Sequence, residues 1–405
     1  MKVVFFSPHF PLEMPRFVRG LAEVGVQVHG LGDVPLESIP AETRQYLSGY
    51  LEIPSLHAGD ATVIDALPQL RRLQPDQIEC LWEPCVVVAA QLREALGLPG
   101  QGVQDAIAFR DKPIMKQRVA AAGLRVPHNA RVHTANEARE AAEIIGFPLV
   151  LKPIAGAGSA DTYRVDDAKG LEATLQKLGH LPEASIEEYI DGQEFTYDTV
   201  SVDGQPLFDS IAWYRPRPLE ARSNEWVSPA QIVLRDPHQP ALEDAVAFGR
   251  SVLKAMGMGT GFTHMEWFRK PNGELVFGEI AARPPGARLV DQMNYANDFD
   301  VYREWARVAC WRTFEAPIHR RYHVAAIFKR AQGQGRIREI HGMEQARRAL
   351  GEWLVADELL PIGTPRRDWK QTLLSDGCLI VRHPDLRTCE AMMDLLVQDV
   401  HLIAG

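Results

Sequence analysis

Two glutamates on either side of a short turn carry the clearest chemistry in this sequence. Asn272-Gly273 favours a two-residue β-hairpin turn, since both residue types tolerate positive φ. That turn sets Glu266 directly opposite Glu279, with Phe268 opposite Phe277 on the same face and Met265 opposite Ile280 on the other. A four-residue loop, Pro271-Asn272-Gly273-Glu274, preserves the same pairing despite the missing N–H of Pro271. Cross-strand Cβ atoms stand about 5 Å apart. Two carboxylates there repel by roughly 3 kcal/mol at an effective dielectric of about 20. A good cross-strand pair returns at most about 1 kcal/mol. A cation is therefore expected between them, and hard paired oxygens suit Mg²⁺, above all Mg²⁺ carrying phosphates. The bland alternative, a solvated hairpin with two independent acids, is disfavoured by apolar neighbours on both faces. Removing Glu279 is then expected to abolish turnover but spare the fold, because it relieves repulsion.

Other candidates gather around this pair. Arg283 lies four residues beyond Glu279 and shares its face if the strand continues, where it would neutralise charge on a transferring phosphoryl group. Arg288 follows the Pro284-Pro285-Gly286 turn and would hold a substrate carboxylate, with a surface salt bridge as the competing reading. Lys152 ends the apolar run Phe147-Pro148-Leu149-Val150-Leu151 and needs an anionic partner there. Gly156-Ala157-Gly158-Ser159 follows, and small residues let backbone N–H groups approach phosphate oxygens. The G-K-[ST] ending of a Walker A loop is missing, and a strand-like stretch rather than a helix comes next, so a dinucleotide fingerprint is excluded. A plain hairpin loop competes with the cradle. Lys112, in the first turn of a helix capped by Asp111, would by itself be a surface residue.

The elements that must position these groups follow from periodicity. Strands at 3–6, 26–31 and 78–82 alternate with helices at 16–24 and 86–96, a pattern of βαβ units and a parallel sheet. Ligands of such sheets lie beyond the carboxyl ends of strands, here near Ser7-Pro8-His9 and Glu83-Pro84. From residue 109 the texture changes. A helix at 112–122, strands at 149–152 and 185–190, and a hairpin at Asp203-Gly204 precede a long loop, 215–228, with Arg215, Arg217 and Arg222. Helices are expected at 170–178, 241–256 and 301–311, and a smaller αβ unit from about 320, with strands 324–329 and 378–382 and helices 344–350 and 386–400. The 405 residues suffice for two to three domains at roughly 150 each. A net charge of −9 argues against wrapping nucleic acid or anionic lipid. No apolar run approaches a membrane span, and the N-terminal one is too short for a signal peptide. Five scattered cysteines without a C-x-x-C pair suit reduced thiols and a cytoplasmic setting.

Read in order, Lys112, Lys152, the glycine segment, Glu187-Glu188-Tyr189-Ile190, Glu194, Glu266 and Glu279-x-x-x-Arg283 resemble the ATP-grasp superfamily, most of all its carboxylate–amine ligases of L-amino acid ligase and carnosine-synthase type. The resemblance implies an α/β chain with a Rossmann-like pre-grasp domain at 1–108, an α+β grasp core at 109–318 with a mobile lid at about 120–190, and a small C-terminal αβ domain at 319–405. It implies ATP, with Mg²⁺ (two ions, or Mn²⁺ in their place). Lys112 and Lys152 would hold phosphates, Gly156–Ser159 would form the lid loop, Glu187, Glu188, Tyr189 and Ile190 would meet adenine, and Glu194 would meet ribose. Glu266 and Glu279 would be metal ligands, and Arg283 would support an acyl phosphate. The family often writes Glu-x-Asn-x-Arg where this chain has Ala281, which the same pairing sets opposite His264. The implied reaction joins a carboxylate, activated as acyl phosphate, to an amine, with small molecules such as amino acids as substrates and a homodimer as one assembly. His9, His264 and the loop arginines are substrate-side candidates. Bicarbonate or a ribonucleotide as substrate, as in carboxylase or purine-biosynthetic relatives, is the first alternative. An ATP-binding protein without ligase activity, motivated by Ala281, is the second.

Overall fold

The computed structural model describes residues 1–155, 161–372 and 374–405. Its N-terminal part is a four-stranded parallel sheet ordered Gly49–Glu52, Gln27–Gly32, Lys2–Phe6, Gln77–Glu79. Val3, Val4, Phe5 and Phe6 are all fully buried, as an unbroken apolar strand must be when helices cover both faces. Val3 and Phe5 pack with Phe17 and Leu21 of the helix Met14–Glu23, and with Trp305 of the helix Val301–Trp311. Val4 and Phe6 face the helices Asp60–Leu73 and Val86–Leu96. One face of the small sheet is thereby fused to the following domain through aromatic packing.

A second four-stranded sheet, wholly antiparallel, runs Asn129–Val132, Ala184–Glu188, Leu149–Pro153, Tyr163–Val165. The helices Ala135–Ile145 and Ala168–Leu178 close its core. The largest sheet has nine strands. Its path begins with Leu275–Ala281 and Gly261–Arg269, continues through Gln193–Val202, Ala212–Arg215 and Ala230–Val233, and ends with His323–Phe328, Gly377–His383 and Leu354–Leu359. The C-terminal segment thus extends this sheet, and the helices Met343–Leu350 and Leu386–Asp399 pack on it.

Several expected elements fall short. The strand after the third βαβ unit stops at Glu79, and a 3₁₀ turn, Glu83–Cys85, follows, opening Trp82 and Glu83 to a cavity. Residues 215–228 are less irregular than their composition suggests: Arg215 ends a strand, and Pro218–Ser223 is a short helix. Among the described residues no helix is long and apolar enough to cross a membrane.

Candidate functional site

The acidic hairpin sits at the edge of the large sheet, its inner strand paired along its length with Gln193–Val202. Glu266 pairs with Glu279, Met265 with Ile280 and His264 with Ala281, as the turn argument requires. The route to that register differs. Lys270 N–H donates to Glu274 O (3.0 Å) and Gly273 N–H to Lys270 O (2.9 Å), so the loop is three residues long, with Gly273 at φ +88°. Phe268 consequently faces Val276, and Phe277 faces Trp267, so the expected Phe268–Phe277 pair does not form. A bulge between Glu266 and Trp267 restores the register. Gly278 permits it, since a Cβ there would stand 2.8 Å from the Glu266 carbonyl oxygen. Two irregularities of opposite sense leave the acids face to face.

Lysines approach these acids from the other sheet and from the helix Lys112–Ala121. Asp111 caps that helix, accepting from Ile114 N–H at 3.0 Å, and so presents Lys112, whose Nζ lies 3.4 Å from Glu279. Lys116, one turn on, is completely buried and 2.9 Å from Glu187, which Lys152 also meets at 2.9 Å. Ser185 Oγ–H donates to the same carboxylate. Burial would push the Glu187 carboxyl up, yet Lys116 and Lys152 hold it at about 2. Burial likewise opposes ionisation of Glu279, and Lys112, Lys152 and Lys116 hold it at about 2. Burial lowers the Lys116 ammonium to about 8 against the pull of Glu187. Lys116 escaped the sequence reading, although its i, i+4 spacing from Lys112 puts both on one helix face.

Lys112, Lys152, Glu187, Glu188, Tyr189, Ile190, Glu194, Glu266 and Glu279 all line one cavity of about 90 Å³. Not every side chain is free within it. The Glu188 carboxylate accepts from Arg125 Nη2 and from His128 N–H. Arg217, from the segment expected to be a loop, donates to Ile190 O and to Tyr189 Oη, each at 2.9 Å, and to Glu194 at 3.2 Å. Its guanidinium lies over the Tyr189 and Phe268 rings. Burial, then repulsion from Glu266, pushes Glu194 up to about 8, with Arg217 resisting. Gly156, Ala157, Gly158 and Ser159 lie outside the described residues.

Glu266 and Glu279 also line a second cavity of about 350 Å³, the size of a small-molecule site. Glu13, Trp82 and Glu83 reach it from the N-terminal sheet, His264 and Arg283 from the hairpin region, and Phe328, Arg330 and Trp369 from the C-terminal segment. Arg283 is held 2.9 Å from Glu83, a partner that sequence spacing could not disclose across 200 residues. His264 Nδ1 lies 2.6 Å from Asp198, and its Nε2 lies 3.6 Å from Glu266. Burial would discharge His264, but Asp198 and then Glu266 raise it to about 9. Tyr214 Oη–H donates to Glu266 at 3.3 Å. Arg288 is placed elsewhere than its expected role requires. It begins a helix at φ +63°, pairs with Asp291 and Glu358, and lines neither cavity. His9 is likewise absent from both walls, while Arg215 reaches Glu390 at the rim of an open groove.

Among the described residues no three metal-ligating side chains cluster. The two opposed carboxylates nevertheless fit Mg²⁺ delivered with phosphates, which needs only one or two protein carboxylates. They stand where the lysine-lined cavity meets the larger one.

A model of the ATP-grasp domain family matches residues 145–291. The chain is 25% identical over 301 residues to an L-arginine-specific L-amino acid ligase of Bacillus subtilis, covering 72% of each chain. It is 25% identical over 244 residues to alanine–anticapsin ligase of Bacillus subtilis strain 168, covering 55% of this chain and 51% of that one. Among solved structures, an L-amino acid ligase from Bacillus licheniformis superposes with a TM-score of 0.80 at 20% identity, over 100% of this chain and 98% of that one. N5-carboxyaminoimidazole ribonucleotide synthetase from Thermotoga maritima follows the same fold, with a TM-score of 0.72 at 15% identity, over 100% and 99%. Residues 145–291 thus carry the match to the ATP-grasp domain family, and the whole chain shares the fold of the solved L-amino acid ligase.

Proposed function

We propose that the protein is an ATP-dependent carboxylate–amine ligase that forms an amide bond through an acyl phosphate and releases ADP and phosphate. The observation that carries this reading is the sharing of Glu266 and Glu279 by two cavities, one lined by Lys112 and Lys152, the other large enough for small organic substrates. A phosphoryl group leaving the first cavity for a carboxylate in the second must cross between these acids.

The chain's part is positioning and charge neutralisation. Lys112 and Lys152 hold the phosphates, Ile190 and its strand meet the base, and Glu194 meets the ribose. Glu266 and Glu279 would hold Mg²⁺ brought with the triphosphate, which would neutralise phosphate charge. The γ-phosphoryl bond to ADP breaks as a bond forms to a substrate carboxylate oxygen. Arg283, fixed by Glu83, faces the charge that builds there. The amine nitrogen then attacks the acyl carbon, phosphate departs, and nitrogen loses a proton. The arginine-specific and anticapsin-joining relatives make amino acids the first substrates to try. Five free cysteines suit a reducing cytoplasm.

An ATP-dependent coupling screen, read by mass spectrometry with phosphate release in parallel, tests the reading. Release that requires two amino acids, with a product lighter than their sum by one water, is expected. Release driven instead by bicarbonate or a ribonucleotide would replace the ligase assignment with a carboxylating or purine-type one.

A further inference from the structure

One wall of the larger cavity carries two arginines that form no salt bridge among the described residues. Arg222, from the short helix Pro218–Ser223, donates through Nη1 to Lys370 O at 2.7 Å, while its buried Nε has no hydrogen-bond partner. Arg330 is only 8% exposed, spends its Nη1 on the carbonyls of Ala221 (2.9 Å) and Asn224 (2.7 Å), and reaches Ser375 Oγ through Nε at 3.4 Å. Its guanidinium lies 4.8 Å from the centroid of the Trp369 ring, which walls the same cavity. The nearby acids are engaged elsewhere. Glu225 pairs with Arg366 at 2.9 Å, and Asp376 accepts the backbone N–H groups of Ala331 and Arg367.

Such an arrangement is costly unless a ligand completes it. Burial lowers both guanidinium groups below their ordinary range, and Arg222 adds to the effect on Arg330 by like-charge repulsion, which Glu225 and Asp376 offset only in part. A buried charge with neither a paired anion nor full hydrogen bonding is unfavourable, and the forked donors of arginine match a carboxylate in two bonds at once. The nucleotide's phosphates have lysines on the far side of Glu266 and Glu279, so they do not account for this wall.

We propose that Arg222 and Arg330 are the residues that hold the carboxylate which the amine-donating substrate keeps through the reaction. The role rests on the ligase reading of the same cavity. The carboxylate is either the α-carboxylate of any amino acid or the side-chain carboxylate of an acidic one.

The test takes the best amino acid pair from the coupling screen and compares each amine donor with its α-amide, including glutamate and glutamine as donors. Wild type should prefer the free acid at least tenfold in kcat/KM. Arg222→Met and Arg330→Met should raise KM for the acid at least tenfold, with kcat at saturation within a few-fold and the preference over the amide lost. Arg330→Lys should recover part of it. Loss confined to glutamate would assign the side-chain carboxylate, and loss across all donors the α-carboxylate. Thermal-shift titration with the same acids and amides reads binding without turnover, and Arg222→Met serves if Arg330→Met fails to fold. Acids that stabilise wild type but not the variants, with no coupling detected, would keep this site and remove the ligase reading. Coupling that is indifferent to the amide and to both substitutions would overturn the site and leave the ligase standing.

Discussion

Glu266 and Glu279 face each other across the hairpin, and each already leans on a cation of the protein. Lys112 lies 3.4 Å from Glu279, and His264 lies 3.6 Å from Glu266. The repulsion that called for a metal in the sequence is therefore met, without ligand, by two side chains expected in other roles. On the ligase reading, Lys112 and Lys152 would turn from these carboxylates to the phosphates of a bound nucleotide, which makes the pair a charge-exchange point.

That changes what removing one acid should do. Glu279 is held at about 2, against burial, by three lysines, so Glu279→Gln takes from Lys112 its ion pair with that residue, while Lys116 and Lys152 keep Glu187. The variant should lose turnover by at least about a hundredfold. Its apo melting temperature should fall by a few degrees, in line with about 1–3 kcal/mol for buried groups left short of partners. The relief expected from the hairpin alone would raise it instead, and a melting curve beside a phosphate-release assay separates the two.

Lys116 tests whether Glu187 manages the phosphate-binding lysine. Glu187 divides its two oxygens between Lys116 and Lys152. With Lys116→Met it has only Lys152 to neutralise it, and Lys152 becomes harder to release to phosphate. KM for ATP should rise about tenfold (1.4 kcal/mol, roughly one charge-assisted hydrogen bond), with a smaller change in kcat. Adding Glu187→Gln to that variant should recover part of the affinity for ATP in a calorimetric titration. No recovery would mean that Lys116 acts through packing.

Much of this was legible in the chain, for reasons that differ by residue. The helices at 86–96 and 301–311 match the structure to the residue, because apolar periodicity and a clear stop coincide there. Glu266 and Glu279 were legible because pairing in a hairpin follows from its turn, although here a longer loop and the Gly278 bulge cancel, which no counting rule foresees. Arg283–Glu83, Lys116–Glu187 and Arg217–Glu194 were not legible. Each joins elements whose approach depends on the packing of whole sheets, and local spacing carries no record of it. For Arg288 the salt-bridge alternative to a substrate-carboxylate role describes what is found, with Asp291 and Glu358 as partners, although the residue is buried rather than on the surface.

His264 gives a signature in pH. Its pKa in the folded chain is raised from 6.5 to about 9, after burial's opposing effect, by Asp198 and Glu266. A group whose folded pKa lies above its unfolded value contributes stability that is full below 6.5 and fades as pH rises, until it is gone above about 9. His264→Gln should therefore melt several degrees below wild type at the acid end of that window, and the gap should close toward its alkaline end. Melts of the nucleotide-free protein across the window give the comparison. A gap that stays constant would assign His264 a packing role alone.

The nucleotide cavity sets the last expectation. At about 90 Å³ it falls well short of the roughly 300 Å³ at which ligand pockets begin. Arg217 occupies the Ile190 carbonyl and the Glu194 carboxylate, groups that the ligase reading gives to base and ribose. On that reading, ATP would enter as Arg217 withdraws and the antiparallel sheet moves off the core, to close again over the phosphates. The ion pairs Lys116–Glu187 and Arg125–Glu188, which tie that sheet to its surroundings, are the contacts that would rearrange. Amides within about 120–190 should therefore exchange more slowly with ATP and Mg²⁺ than without them. Arg217→Ala should speed ATP association about tenfold in stopped-flow fluorescence while leaving kcat within a few-fold. Equal exchange in both states, together with an unchanged association rate, would mean that nucleotide binds without opening this face of the fold.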